Sequence, residues 1–232
     1  MLPIFLIARN FVRTQWLVVT IMSSYLVGIT WVFAVHEQRA ETVFFLQWHS
    51  SYVLFLAMTL AVGAIQTERK SRRIVALLSK GIHRWQYLAG LLGGCAVIIG
   101  VFWMLISGSM AVFYRQAGYP LDNLPVLILA LFCCCLAASS VALFYSAFLH
   151  PLLAAAACAA TLMLPYVVQT AGWSLAGKCF PVFSAVGMLQ RFELDVASEA
   201  WTITVVSLVW ILAFVTAAAA VFNRRDVTTA LE

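Results

Sequence analysis

Charge is what this chain has least of. Asp, Glu, Lys and Arg make up 10% of its 232 residues, and 64% are hydrophobic, whereas a soluble domain is roughly a quarter charged and about half apolar. That shortage excludes a soluble globular protein. No GxxxxGK[ST] phosphate loop is present either: Lys70 precedes Ser71 but has Arg69 and Ala64 where the two glycines belong, and Lys80 and Lys178 are followed by Gly81 and Cys179. If ATP is used, another chain hydrolyses it. "HEQRA", residues 36 to 40, begins like the HExxH of a zinc protease, but Ala40 stands where the second metal ligand belongs. Cysteine supplies neither a metal site nor a disulfide framework. Cys133, Cys134 and Cys135 are consecutive and point around a helix in different directions, so with Cys158 they read as small apolar packing residues. Cys179 is the one cysteine on the outer side, which leaves no outward disulfide within the chain.

What the chain has instead is long apolar runs. About 20 helical residues cross a hydrocarbon core of roughly 30 Å, and runs of that length occupy residues 14–35, 43–66, 91–114, 123–149, 151–171 and 201–222. The first is longer than a signal-peptide core, and "FAVHEQ" after it lacks a small-x-small cleavage site, so it reads as a retained span. Runs without period-2 alternation favour helices over a barrel. The expected fold is an all-α integral membrane bundle of six transmembrane helices, one permease-sized domain over residues 1–232. With the N-terminus inside, ten of the fourteen Lys and Arg fall on the inner side, and Arg39, Arg115, Lys178 and Arg191 on the outer. This bias puts both termini in the cytoplasm and explains the net charge of +5 without a nucleic-acid partner. Trp16 and Trp85 then fall at the inner interface, and Trp31, Trp48, Trp173 and Trp201 at or near the outer one. Trp103 and Trp210 are mid-span, which calls for packing between helices.

All Asp, Glu, Lys and Arg lie outside these spans or at their edges. An ion-coupled transporter needs ionisable groups at membrane depth, and an intramembrane enzyme needs convergent polar residues there. The only candidates are His49, with Gln47, Ser50 and Ser51 nearby, and Gln66 at a span end. His49 is near the outer end of the second span and reads as an interfacial or packing histidine.

Much of the charge is gathered in "QTERKSRRIVALLSKGIHRW", residues 66 to 85. Read as a helix, Ile74, Leu77, Leu78 and Ile82 form one apolar stripe, and Arg69, Lys70, Arg72, Arg73 and Lys80 occupy the remaining surface. Three roles fit an amphipathic helix on the inner interface: a topogenic loop, an anionic-lipid anchor, or a rigid handle gripped by a cytosolic partner.

The stretch from Glu68 to Gly94, "ERKSRRIVALLSKGIHRWQYLAGLLGG", resembles the intracellular segment between the second and third spans of permeases of the ABC transporter type-2 (exporter) family. It matches in register at Glu68, Arg69, Leu77, Leu78, Ser79, Arg84, Trp85, Tyr87 and Gly90. "FNRRDV", Phe222 to Val227, is similar to the ending with which many of these permeases leave their sixth span. The chain departs from the pattern at Arg72, Gly81 and Leu91, where the family often has Gly, Pro and Lys. The resemblance implies that the segment 67–89 carries a coupling helix, with Glu68, Arg69, Arg72, Arg73, Leu77, Leu78 and Arg84 contacting a separate ATPase. It implies no directly bound cofactor, ATP and Mg entering through that partner, likewise in two copies. A second permease copy, as homodimer or heterodimer, completes the conduit, and Gly90 and Gly94 form a small-xxx-small pair that serves either such an interface or the bundle itself. "ARNFVR", Ala8 to Arg13, becomes an amphipathic interfacial lead-in helix with Ile4, Phe5 and Phe11 toward lipid and Arg9 and Arg13 toward water.

Residues 172–200 complete the expectation. The run Cys179 to Leu189 is too short to span, and Pro181 begins it as a first-turn proline begins a helix. A short re-entrant helix in the outer leaflet follows, as the family commonly has, with Pro181, Phe183 and Leu189 as an outer gate or a packed cap. Short outer loops, near 36–42 and 115–122, argue against a receptor. The reading is the transmembrane subunit of an exporter of a hydrophobic or amphipathic substrate, in a bacterial or archaeal plasma membrane. A haem- or cofactor-delivery permease and a non-transporting membrane scaffold are the alternatives.

Overall fold

Prolines stand where helices begin and the long apolar runs contain almost none, so the backbone closes its hydrogen bonds within each run. The computed structural model describes residues 2–35, 39–70, 83–117, 123–170, 179–190 and 196–224, and its regular structure there is helical. The helices are α1 (Leu2–Thr14), α2 (Trp16–Val35), α3 (Arg39–Lys70), α4 (Arg84–Ala117), α5 (Leu124–Ser146), α6 (Pro151–Thr170), α7 (Pro181–Gln190) and α8 (Val196–Arg224).

Four stretches are long and apolar enough to cross a membrane: Phe44–Gln66, Arg84–Val112, Leu124–Ser146 and Ser198–Phe222. A fifth arises if Pro3–Thr14 and Trp16–Val32, bent by 62° at Gln15, count as one broken span. In α6 the stretch Pro151–Pro165 is apolar but shorter. This is the architecture of a multi-pass all-α membrane protein. The stretches at 44–66 and 198–222 coincide closely with the expected second and sixth spans.

Two boundaries differ from the sequence reading. α4 starts at Arg84, so residues 84–89, assigned above to the cytosolic segment, are continuous with the third apolar run. The cause is local and tertiary together. The Gln86 side chain accepts from the His83 backbone N–H at 3.2 Å, a half capping box, and Tyr87, Leu88 and Leu91 are fully buried. At the chain's start, the run expected at 14–35 begins two residues later, at Trp16, after the bend at Gln15, and α1 before it is the separate lead-in helix expected there.

α5 is the central post, packed against α3, α4, α6, α7 and α8. Its sequence permits this because small residues, Cys133 to Cys135 and Ala137 to Ser140, occupy every face and are all buried. Close approach lets hydroxyls reach across helices: Ser139 Oγ donates to Ala57 O at 3.1 Å and Ser146 Oγ to Val62 O at 2.9 Å, both on α3. Interhelical bonds of this kind average about 0.6 kcal/mol in membranes and reach about 1.7. Ser139→Ala with Ser146→Ala is therefore expected to lower stability by about 1–3 kcal/mol in bicelles. Thr216→Ala, whose hydroxyl serves only its own helix at Leu212 and Ala213, changes it little; reversible detergent unfolding compares the two.

α1 packs along the first half of α4, and glycine makes this possible. A Cβ on Gly90 would lie 2.7 Å from Ile7 Cβ, and one on Gly94 2.6 Å from Phe11 Cδ1. The small-xxx-small pair thus serves packing inside the bundle. It also corrects the orientation expected for α1: Phe11 is 2% exposed and turned into the Gly94 notch, not toward lipid. Ile4 is half-buried, and Phe5, Arg9 and Arg13 are exposed as expected.

Candidate functional site

One end of the bundle is defined by the contact of Arg84 with Phe222, one residue from each of the two family-like motifs. Arg84, at the first turn of α4, donates from Nη1 to the carbonyl oxygen of Phe222 in the last turn of α8. Its guanidinium carbon stands 5.7 Å from the centre of the Phe222 ring, and Tyr87 stacks on that ring at 6.2 Å and 13°. The last four carbonyls of a helix lack intrahelical partners, and a cation there is favoured by the helix dipole. Arg84 supplies both needs and ties positions 138 residues apart.

Among the other residues expected to contact a partner, Glu68 and Arg69 stand on the last turn of α3, with side chains outside the described ones. Arg72, Arg73, Leu77 and Leu78 lie outside the described residues. The structure therefore brings Arg84 to α8 and leaves the rest of the coupling set unplaced.

At the opposite end, α7 begins at Pro181 as its sequence indicates. Two long-range bonds seat it: Gln47 Nε2 donates to Leu189 O at 3.1 Å, and Trp210 Nε1 to Cys179 O at 2.9 Å. Trp210 also meets Phe180 and Phe214, each with ring centres 5.2 Å away. Pro181 and Leu189 are buried and Phe183 is half-buried, so these three belong to the packed underside and flank of α7.

Beneath α7 is a small chamber of about 40 Å³. Its walls are Ser50 and Ser51 of α3, Trp103 of α4, Cys134 and Cys135 of α5, and the Val182, Ala185 and Leu189 side of α7. Both serines turn their hydroxyls to their own helix, to Leu46 O and Gln47 O. On the other side of Trp103 is a groove of about 530 Å³ between α4 and α5, with Gly100 and Phe132 in its walls and the exposed Met104 and Leu129 at its rim. Trp103 lines both spaces and is 2% exposed.

Three buried polar atoms make no hydrogen bond among the described residues: His49 Nε2, Gln66 Oε1 and Ser207 Oγ. His49 is 1% exposed, and its Nδ1 donates to Phe45 O at 2.8 Å, so it is a packed histidine whose second nitrogen is idle. Trp103 Nε1 donates to the Cys135 sulfur, a weak acceptor.

Sequence reasoning marks Trp103 as needing an explanation but not the groove, because a groove depends on which neighbours are short. Phe222 as the target of Arg84 is likewise invisible along the chain. Its only signal is that it opens "FNRRDV". No family model matches the chain, and no curated protein matches it.

Proposed function

We propose that the chain is the transmembrane subunit of an ATP-driven exporter of the ABC type-2 kind, moving a hydrophobic or amphipathic substrate out of the cytoplasm or inner leaflet. The observation that carries this reading is the Arg84–Phe222 clasp. It joins the start of α4, just after the basic stretch, to Phe222, which opens "FNRRDV", at one end of the bundle, where a cytosolic ATPase would address both. In this reading α2, α3, α4, α5, α6 and α8 are six spans, both termini are cytoplasmic, and α1 is a lead-in helix docked beside α4. The segment 71–82 with Glu68 and Arg69 forms the handle for the ATPase, two copies of which bind ATP and Mg. Two permease subunits share the conduit, and α7 is a re-entrant outer helix acting as gate.

The bundle suits a lever. α4 rises from the handle and is tied to α8 at its base and to α1 along its flank, so displacement of the handle moves three helices together.

The test reconstitutes the permease with a candidate partner ATPase in lipid nanodiscs. Native protein is expected to co-purify with the ATPase and change its turnover several-fold. Glu68→Ala with Arg73→Glu removes one partner charge and reverses another, and is expected to abolish that change while the permease still unfolds cooperatively on heating, the control for folding. An ATPase that neither binds nor responds to native protein overturns the export reading and leaves a scaffold.

A further inference from the structure

The groove between α4 and α5 has the depth of one membrane leaflet. On α5 its wall runs from Leu124, the first residue of a membrane-crossing stretch, to Phe132, which is about 12 Å along a helix. On α4 its deepest wall is Gly100, and the membrane-crossing stretch of that helix ends at Val112, about 18 Å away. Half of a hydrocarbon core is about 15 Å. The groove therefore opens at the membrane edge and ends near the midplane.

Inside, it offers nothing polar to hold a headgroup. No charged side chain lines it, the Ser107 hydroxyl donates to Met104 O of its own helix at 2.9 Å, and the Trp103 N–H is given to the Cys135 sulfur. Its rim, Met104 at 68% exposure and Leu129 at 41%, lies on membrane-crossing stretches whose surroundings are hydrocarbon. Its volume of about 530 Å³ accommodates roughly 17 groups of water's ~30 Å³, the bulk of one acyl chain.

Selectivity then falls to the mouth, where there is one cation. Arg115 is in the last turn of α4, just past Val112, and is exposed. It stands eleven residues beyond Met104, close to three full turns, so both lie on the same side of α4. Among the described residues it has no hydrogen bond or ion pair. A guanidinium matches a phosphate bidentately, and a basic residue at the membrane edge favours an anionic lipid over a zwitterionic one.

We propose that the groove seats one acyl chain of an anionic phospholipid whose phosphate is held by Arg115. The chain lies along Gly100, Met104, Ile128 and Phe132, and the lipid's second chain stays in the bilayer. A lipid bound only by the folded bundle stabilises it by mass action. The site is independent of export, because neither the groove nor Arg115 belongs to the segment assigned to the ATPase.

The test is native mass spectrometry of the full chain released from nanodiscs of phosphatidylglycerol and phosphatidylcholine in equal amounts. Native protein is expected to keep one phospholipid when the others are stripped, with phosphatidylglycerol favoured about fivefold, the gain from one basic residue beside an anionic lipid. Arg115→Gln brings that ratio close to one, whereas Arg9→Gln, at an exposed arginine of α1, leaves it unchanged. Gly100→Leu fills the groove. A Cβ there meets Phe132 Cε2 at 3.7 Å, an ordinary contact, so the backbone need not move, and retention of either lipid falls roughly tenfold, as for overpacking. Gly28→Leu, where an added Cβ meets nothing within 4 Å, retains both. Placement is read separately with dibromostearoyl lipids: the quenching of Trp103, taken as native minus Trp103→Phe, is expected to be strong in native protein and weak in Gly100→Leu.

Equal retention of the two lipids by native protein overturns the proposal, as does a preference that survives Arg115→Gln or retention and quenching that survive Gly100→Leu. A dimer that keeps no phospholipid also overturns it and assigns the groove to a second copy of the chain.

Discussion

Gly90→Ala lowers the stability of the bundle by about 1–3 kcal/mol, the range for overpacking a filled site, whereas Gly93→Ala leaves it unchanged or raises it. Three residues apart on one helix, the two glycines meet different neighbours. A Cβ on Gly90 falls 2.7 Å from Ile7 Cβ, 2.8 Å from Ile7 Cγ2 and 3.1 Å from the carbonyl oxygen of Ile4. Two of those atoms are fixed by the α1 backbone, so no rotamer change relieves the contact and the helix must shift. At Gly93 the nearest atom is Ala8 Cβ at 3.8 Å, an ordinary contact, and alanine gains up to about 1 kcal/mol of helix propensity. Gly94 tests the notch from the other side. Its added Cβ meets the Phe11 ring at 2.6 Å, so Gly94→Ala and Phe11→Ala each destabilise but together cost less than their sum, because truncating Phe11 removes the obstructing ring. Thermal unfolding of the four single variants and the Gly94→Ala/Phe11→Ala double in detergent, with proteolysis of the N-terminus as a readout of α1 release, gives the coupling energy. Strict additivity of Gly94→Ala and Phe11→Ala shows that α1 does not dock as described.

Arg84→Ala loosens the end of the bundle where α4 meets α8, and the expected loss is about 2–4 kcal/mol. A charge-assisted hydrogen bond contributes about 1.5–3 kcal/mol, a cation at a helix C-terminus about 0.3–1, and a half-exposed guanidinium over an aromatic ring about 0.5–1; the loss is less than their sum because water reaches the freed carbonyl. Arg84→Lys restores the charge but not the planar fork, so it recovers part of the stability. Amide hydrogen exchange localises the effect: protection falls in the last turns of α8, from about Ala218 to Arg224, while α5 and the Ser139–Ala57 region keep theirs. Uniform loss of protection across the bundle contradicts a local clasp. The same variant separates two roles for Arg84. If it contacts the ATPase directly, coupling is lost in Arg84→Lys as in Arg84→Ala; if it acts by holding α8, coupling follows the stability of that turn.

Particular elements show how far reading along the chain reaches. The start of α7 was legible because Pro181 occupies a first-turn position that suits its fixed φ and missing N–H, a rule needing no distant partner. The mid-span Trp103 and Trp210 announced packing, since indoles in lipid favour the interfaces. The orientation of α1 was not legible. Phe5 and Phe11 are both apolar, and only the Gly94 notch decides that Phe11 turns inward while Phe5 stays exposed. Nor was the start of α4 at Arg84, since Gln86 caps it within one turn but Tyr87 holds it through Phe222, far along the chain.

What the sequence by itself determined is the solvent and the secondary structure. Scarce charge, long uninterrupted apolar runs and punctuating prolines are sums over neighbouring residues, and they lead to apolar helices that suit a membrane wherever the helices end up. Tertiary structure decided the partners: that Gly90 and Gly94 receive Ile7 and Phe11, that Arg84 closes on Phe222, and that Trp103 stands between a small chamber and an open groove. In a chain where nearly two-thirds of the residues are hydrophobic, apolar side chains are nearly interchangeable in pattern. Shape alone distinguishes their contacts, and shape exists only once helices distant in sequence lie side by side.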